Sequence, residues 1–114
     1  MRTVNVKVGS VIFLGRQGEN AASNIVFDIK EFKDLYGDGT VTLLNQRNGE
    51  VTSYVCDLTL DENEGDYVTW SPTSFDTSKP GYGKCQLVWQ VDESISKSVV
   101  WTTVVGSSLL VNNV

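Results

Sequence analysis

Apolar and polar residues take turns along most of this chain, and a period of two is the mark of half-buried β-strands. Val4, Val6 and Val8 alternate with polar neighbours, and Val11 to Leu14 resume the apolar run after Gly9-Ser10. That predicts a first strand with a break in it. A polar stretch from Gly15 to Ser23 separates it from a second strand, Asn24 to Ile29, where Ile25, Phe27 and Ile29 share a face. Between Asp28 and Gly37 the spacing changes. Phe32, Leu35 and Tyr36 stand at i, i+3 and i+4, with Asp28 placed to cap and Gly37 to end one short helical turn near 30–36. Thr40 to Arg47 returns to alternation. Asn48-Gly49 is the pair favoured at the tip of a two-residue hairpin, so the strand from Glu50 to Leu60 is expected to fold back on it. Asp61 to Gly65 reads as a solvated tip leading into Asp66 to Ser71, and a polar connection runs from Pro72 to Lys84. Lys84 to Asp92 and Lys97 to Val105, joined at Glu93-Ser94, close the pattern as two long strands.

Strands of this length and spacing predict an all-β domain. An immunoglobulin-like sandwich of two sheets with about seven strands is the expectation, because each half-apolar sheet needs another to cover it; a closed barrel is the alternative. Gly81-Tyr82-Gly83 just before Cys85 points the same way, since immunoglobulin domains carry a tyrosine at the entrance to strand F. There the tyrosine stands two residues before the cysteine, and here it stands three. A chain of 114 residues holds one core, so a single domain over 1–106 is expected, with 107–114 a tail or the start of a following segment.

Trp89 shares its parity with Leu87 and Val91, and Trp101 with Val99 and Val105, which assigns both indoles to the core. Trp70 ends a short strand beside Pro72 and is expected to be partly open. Cys56 and Cys85 also fall on inward positions. They are read either as a disulfide bridging the sheets or as two buried free thiols, the second fitting a reducing compartment.

Fourteen acidic against nine basic residues give a net charge of −5, and the basic residues are scattered singly. Nucleic acid is therefore not expected as a partner. The longest apolar run is far below the ~20 residues of a membrane span. Met1-Arg2 opens into an alternating segment and not into the apolar stretch of a secretion signal, so the chain is expected to be made and kept inside a cell, or assembled there. With no histidine, neither a Ser-His-Asp nor a Cys-His arrangement forms, and two cysteines fall short of a tetrahedral zinc site. No phosphate-binding glycine motif is present, and the acidic loop from Asp61 to Asp66 departs from a calcium loop in the placing of its glycine and in lacking the closing glutamate. The expectation is a non-enzymatic domain without catalytic, cofactor-binding or metal-binding residues. Paired carboxylates across a groove keep a small hydrolase as the weakest alternative.

One segment is dense in hydrogen-bonding groups. Gly15 to Ser23 holds Arg16, Gln17, Glu19 and Asn20 and is long for a strand connection, so it is either a surface loop folded onto a sheet edge or a docking loop. These four and Trp70 are the candidate interface residues. A carbohydrate-binding module is the competing reading, and it requires two open aromatics beside a shallow groove, with Trp70, Tyr54, Tyr67 and Tyr82 as the side chains to watch.

Five segments also carry a resemblance: Gly15 to Ala22, Ile25 to Asp28, Tyr36 to Thr40, Leu44 to Arg47, and Gly81 to Leu87. In this order they resemble a domain of structural proteins of phages and prophages of Gram-positive gut bacteria, one that commonly opens a tail-fibre, baseplate or head-fibre protein. The likeness runs from about Val11 to Val105, and a fainter one is to the amino-terminal domain of phage baseplate upper proteins. It implies a β-sandwich that attaches a fibre or decoration to the virion, one copy of a trimer or ring, assembled in the bacterial cytoplasm among other virion proteins. It supplies no catalytic residues. Proteins of that kind continue past the position of Ser107 into a stalk or another module.

Overall fold

The computed structural model describes residues 1–60 and 65–109. The elements in chain order are β1 (Arg2–Asn5), β2 (Val11–Arg16), β3 (Ser23–Asp28), α1 (Lys30–Tyr36), β4 (Thr40–Gln46), β5 (Tyr54–Cys56), β6 (Thr59–Leu60), β7 (Tyr67–Trp70), β8 (Gly81–Val91), β9 (Ser94–Lys97) and β10 (Trp101–Gly106). One sheet runs β1-β3-β7-β6 and the other β2-β10-β8-β4-β5, with β9 pairing on β8. These are the two packed layers the alternation calls for: an all-β sandwich and not a closed barrel. Strands β3-β7-β6 against β10-β8-β4-β5 reproduce the immunoglobulin-like order B-E-D against G-F-C-C′. Both sheets are mixed, because β1 runs parallel to β3 and β2 parallel to β10.

The core follows the inward parity. Ile12 and Leu14 on β2, Ile25 and Phe27 on β3, Leu43 on β4, Val68 and Trp70 on β7, Leu87 and Trp89 on β8, and Trp101 and Val105 on β10 are all buried. Helix α1 closes one end of the sandwich, with Phe32 stacked on Trp89 at 5.9 Å between ring centroids. Asp28 Oδ1 accepts the Lys30 N–H at 2.9 Å as the helix begins. Gly37 ends it at φ +82°, a conformation that favours glycine, and its N–H returns to the Lys33 carbonyl.

The described residues hold ten strands where about seven are expected, because three expected strands break. The opening segment turns at Lys7–Ser10, and its halves join different sheets. The expected strand Glu50 to Leu60 is a loop followed by β5 on one sheet and β6 on the other. The last strand divides into β9 and β10, since four residue steps from Lys97 to Trp101 face three from Cys85 to Val88. That extra residue makes a bulge, which resets the parity. Val99 is therefore exposed while Trp101 is buried, so the two do not share a face as the alternation predicted.

The turn at Asn48-Gly49 forms, but not as a two-residue hairpin. The Glu50 N–H returns to the Arg47 carbonyl, and Gly49 has φ +81° while Asn48 does not enter the positive region that a type I′ turn requires. Pairing between β4 and β5 resumes only at Asn45 and Tyr54. The polar connection also ends earlier than expected, because Gly81-Tyr82-Gly83 are already in β8 and pair with β10.

The two sides of β4 are predicted to respond differently to truncation. Leu43→Ala, at a position of 0 % exposure, is expected to cost about 3 kcal/mol in urea unfolding. Thr42→Ala, one residue along on the outward side, is expected to cost less than about 1 kcal/mol. Equal losses would contradict the sidedness of this strand.

Candidate functional site

The segment between β2 and β3 is held by three parts of the chain. Gln17 donates its backbone N–H to the Gly106 carbonyl at 2.7 Å and its Nε2 to the Ser78 carbonyl at 3.2 Å. Glu19 accepts Arg2 Nη2 at 3.1 Å and also the Arg16 backbone N–H, while its own carbonyl accepts the Thr77 hydroxyl at 2.8 Å. Asn20 Oδ1 accepts the Ser74 N–H at 2.9 Å, and Arg16 Nη1 reaches the Ser107 carbonyl at 3.3 Å. Arg16, Gln17, Glu19 and Asn20 are thus brought together, but their hydrogen bonds tie residues 16–20 to 73–78 and 106–108. Of the two readings of this loop, folding back on the sheet edge is the one its contacts describe. The Arg2 guanidinium, the Arg16 side chain and the Arg16 amide hold the Glu19 carboxyl below its ordinary pKa, with the Arg16 amide contributing most.

Trp70 is not part of that group. It is 1 % exposed, so its place among the candidate interface residues is corrected: it shares its parity with buried Val68, and its neighbour Pro72 is buried with it. Tyr54 and Tyr67 are half-buried, and of the four aromatics named for a sugar platform only Tyr82, at 69 %, is open. Tyr82 also makes no corner of the immunoglobulin kind. It stands on the outward side of β8, opposite Val104.

The tie between strand and connection is made by Tyr54 and Asp76, which sequence reasoning missed. Asp76 is 4 % exposed. Its Oδ1 accepts the Tyr54 hydroxyl at 2.6 Å and the Cys56 thiol at 3.6 Å, and its Oδ2 accepts the Thr73 N–H at 2.8 Å and the Thr73 hydroxyl at 3.2 Å. Asn45 Nδ2 donates to Tyr54 Oη at 2.9 Å, extending the chain of hydrogen bonds into the sandwich. Asn45 stands at the same inward parity as Leu43, and that polar residue on a core face was the available signal. Beside this network Arg47 grips both Glu50 oxygens at 2.7 and 2.8 Å, and its guanidinium lies 3.8 Å from the Phe75 ring centre. The bond to Arg47 holds the Glu50 carboxyl at about 2. Its share of stability is therefore present above the ordinary carboxylate range and lost as pH falls towards 2.

Cys56 and Cys85 are buried free thiols. They do not bridge the sheets, because both lie on the same sheet with β4 between them: Cys56 faces Leu43, and Cys85 faces Asn45. Two strand spacings put them about 10 Å apart, beyond the ~7 Å over which Cα atoms can be bridged. Burial pushes the Cys85 thiol up to about 12. Burial raises Cys56 too, and the Asp76 carboxylate adds to it.

The two outer faces differ. Outward positions on the β1-β3-β7-β6 sheet are mostly polar: Thr3, Asn5, Asn24, Thr69 and Thr59, with Val26 among them. On the other sheet Val104 has Phe13 opposite it on β2 and Tyr82 on β8, Val11 stands opposite Thr102, and Leu44 stands opposite Val55. Val11, Val55 and Tyr82 are 59, 64 and 69 % exposed. A hollow of about 410 Å3 lies beside Tyr82, lined by Gln46, Glu50, Lys84 and Thr102 among others. Among the described residues no three His, Cys, Asp or Glu side chains gather as metal ligands, and no helix is long and apolar enough to cross a membrane. The solvated tip expected at Asp61 to Gly65 falls largely outside the described residues. No protein-family model matches the chain, and a search of curated proteins finds no match.

Two outcomes are expected from the buried groups. Asp76→Ala leaves the Tyr54 hydroxyl and Thr73 N–H unpaired and is expected to cost about 2–4 kcal/mol in urea unfolding; a loss under ~0.5 kcal/mol would remove the network's structural role. A thiol whose folded pKa is raised stabilises fully below its unfolded value, near 9, and that share is lost as pH climbs towards about 12. The urea midpoint is thus expected to fall between pH 8 and pH 10.5, and less steeply in Cys85→Ala. A wild-type midpoint that stays level would contradict it.

Proposed function

We propose that this chain is a non-enzymatic binding module of a bacteriophage particle, an attachment or decoration component of the tail fibre, baseplate or head fibre. It acts through contacts with other virion proteins and with further copies of itself in a trimer or ring, assembled in the cytoplasm of the bacterial host. The observation that carries a binding role is the exposed apolar side chains on the outer face of the β2-β10-β8-β4-β5 sheet, which stand there among Thr102, Lys84, Gln86 and Gln46. A sandwich standing alone gains nothing by exposing Phe13, Tyr82, Val11 and Val55 there, whereas exposed apolar patches of this kind mark interaction sites. The virion assignment is supported by the ordered motifs from Gly15 to Leu87 and by their resemblance to phage structural domains. Two of those motifs are partners in the fold, since Leu44, Asn45 and Gln46 pair with Gln86, Cys85 and Lys84.

Mass spectrometry and immunogold labelling of particles purified from a host that encodes the chain test this reading. The expected result is the chain at a fixed copy number per particle, with label confined to one structure of the virion. Particles that lack the chain would refute it.

A further inference from the structure

We infer that Asn48 is a self-modification site: the Gly49 backbone nitrogen attacks the Asn48 side chain, and the folded chain slowly converts itself to aspartyl and isoaspartyl forms at the turn between β4 and β5. The inference concerns the chain in any setting and does not rest on the virion reading.

Ring closure between an asparagine and the next backbone nitrogen is least crowded when that next residue is glycine, which has no Cβ to hinder its own nitrogen. The fold leaves this pair open. Both residues are exposed. The hydrogen bonds that close the turn run between Arg47 and Glu50: the Glu50 N–H to the Arg47 carbonyl at 3.1 Å, and the Arg47 N–H to Glu50 Oε1 at 2.9 Å. Among the described residues no acceptor takes the Gly49 N–H. A Cβ at Gly49 would meet nothing within 4 Å, so there is room for a ring to form. Pairing of β4 with β5 begins only at Asn45 and Tyr54, and the turn can therefore change shape without breaking a ladder bond.

The four other asparagines among the described residues lack this opening. Val6 after Asn5 donates its N–H to the Val26 carbonyl at 2.9 Å, and Ala21 after Asn20 donates to the Pro72 carbonyl at 2.9 Å. Asn24 and Asn45 stand inside paired strands and are followed by the larger Ile25 and Gln46.

In the reaction the Gly49 nitrogen gives its proton to hydroxide and bonds to Asn48 Cγ, while the Cγ–Nδ2 bond breaks and Nδ2 leaves as ammonia. Water then opens the succinimide. Addition at Cγ gives aspartate, and addition at the backbone carbonyl gives isoaspartate, whose main chain is one carbon longer. One water is consumed and one ammonia released overall, with nothing oxidised or reduced. Opposing the attack is the bond from Asn48 Nδ2 to the Pro80 carbonyl at 3.1 Å. An exposed hydrogen bond of this kind slows it by only about fivefold.

That bond is also what the conversion removes. The amide stands against the start of β8, since a Cβ at Gly81 would lie 2.8 Å from Asn48 Nδ2. Either product sets a carboxylate where the donor was and adds a negative charge to a chain of net charge −5. The tie between the turn and the entry of β8 is lost, one residue from outward Tyr82.

Peptide mapping by mass spectrometry after long incubation at neutral and mildly alkaline pH tests the inference, with circular dichroism to check that the protein stays folded. Asn48 is expected to convert before any other described asparagine, faster at the higher pH, with isoaspartate and aspartate both formed. Its rate in the folded protein is expected to lie within about tenfold of its rate in urea. Asn48→Gln is expected to stay unmodified at this turn. In Asn48→Asp, amide exchange over Gly81 to Gly83 is expected to be at least ~3-fold faster than in the wild type. An Asn48 that outlasts Asn5, Asn20 or Asn24, a folded-state rate more than about tenfold below that in urea, or unchanged exchange at the start of β8 would overturn the proposal.

Discussion

Asp76 is buried and forms no ion pair among the described residues, and the connection between β7 and β8 is arranged around keeping its carboxyl hydrogen-bonded. A polar group buried in that position is tolerable only when hydrogen-bond partners surround it. Tyr54, Cys56 and Thr73 supply them. The consequence reaches beyond the carboxylate, because Thr77 and Ser78 follow it directly and are the residues to which Glu19, Gln17 and Arg47 bond. Fixing residues 73–78 on β5 therefore fixes the segment between β2 and β3, and with it the exit of β10 at Gly106 and Ser107. One end of the sandwich is held by polar contacts, and the other is closed by helix α1 stacking Phe32 on Trp89.

What the alternation made legible was sidedness, which is local. Leu87, Trp89, Ile25 and Phe27 are buried because neighbours two residues away agree with them. Trp70 reads the same way from Val68, and Pro72 beside it is no sign of openness, because proline beside a strand end marks where pairing stops and carries no statement about exposure. The bulge at Ser98–Val100 was not legible, since whether a strand gains a residue depends on its partner. There the Ser98 hydroxyl accepts the Leu87 N–H at 2.9 Å, a contact that sequence spacing does not announce.

The polar network was invisible for a different reason. Asn45, Tyr54 and Asp76 lie on β4, β5 and a loop, and each is an ordinary residue in its own neighbourhood. Turn chemistry accounts for an aspartate in a polar connection, and nothing nearby in sequence says that its partner is a tyrosine across the sheet edge. The loop from Gly15 to Ser23 is the converse case: its dense polar side chains were conspicuous, and the contacts show most of that capacity used within the molecule.

On the proposed binding role, that redistribution moves the contact away from the loop. Polar groups already saturated by their own chain offer little to a partner, since exchanging one hydrogen bond for another yields a small net gain. Apolar side chains standing in water offer more, because covering them is favourable whatever the partner's sequence. Phe13, Val104 and Tyr82 stand outward on strands whose inward residues hold the core, so the fold fixes their positions, and Phe13 also carries the Arg2 guanidinium 5.1 Å above its ring centre. A surface built in this way is free to vary with its partner while the sandwich beneath it stays the same.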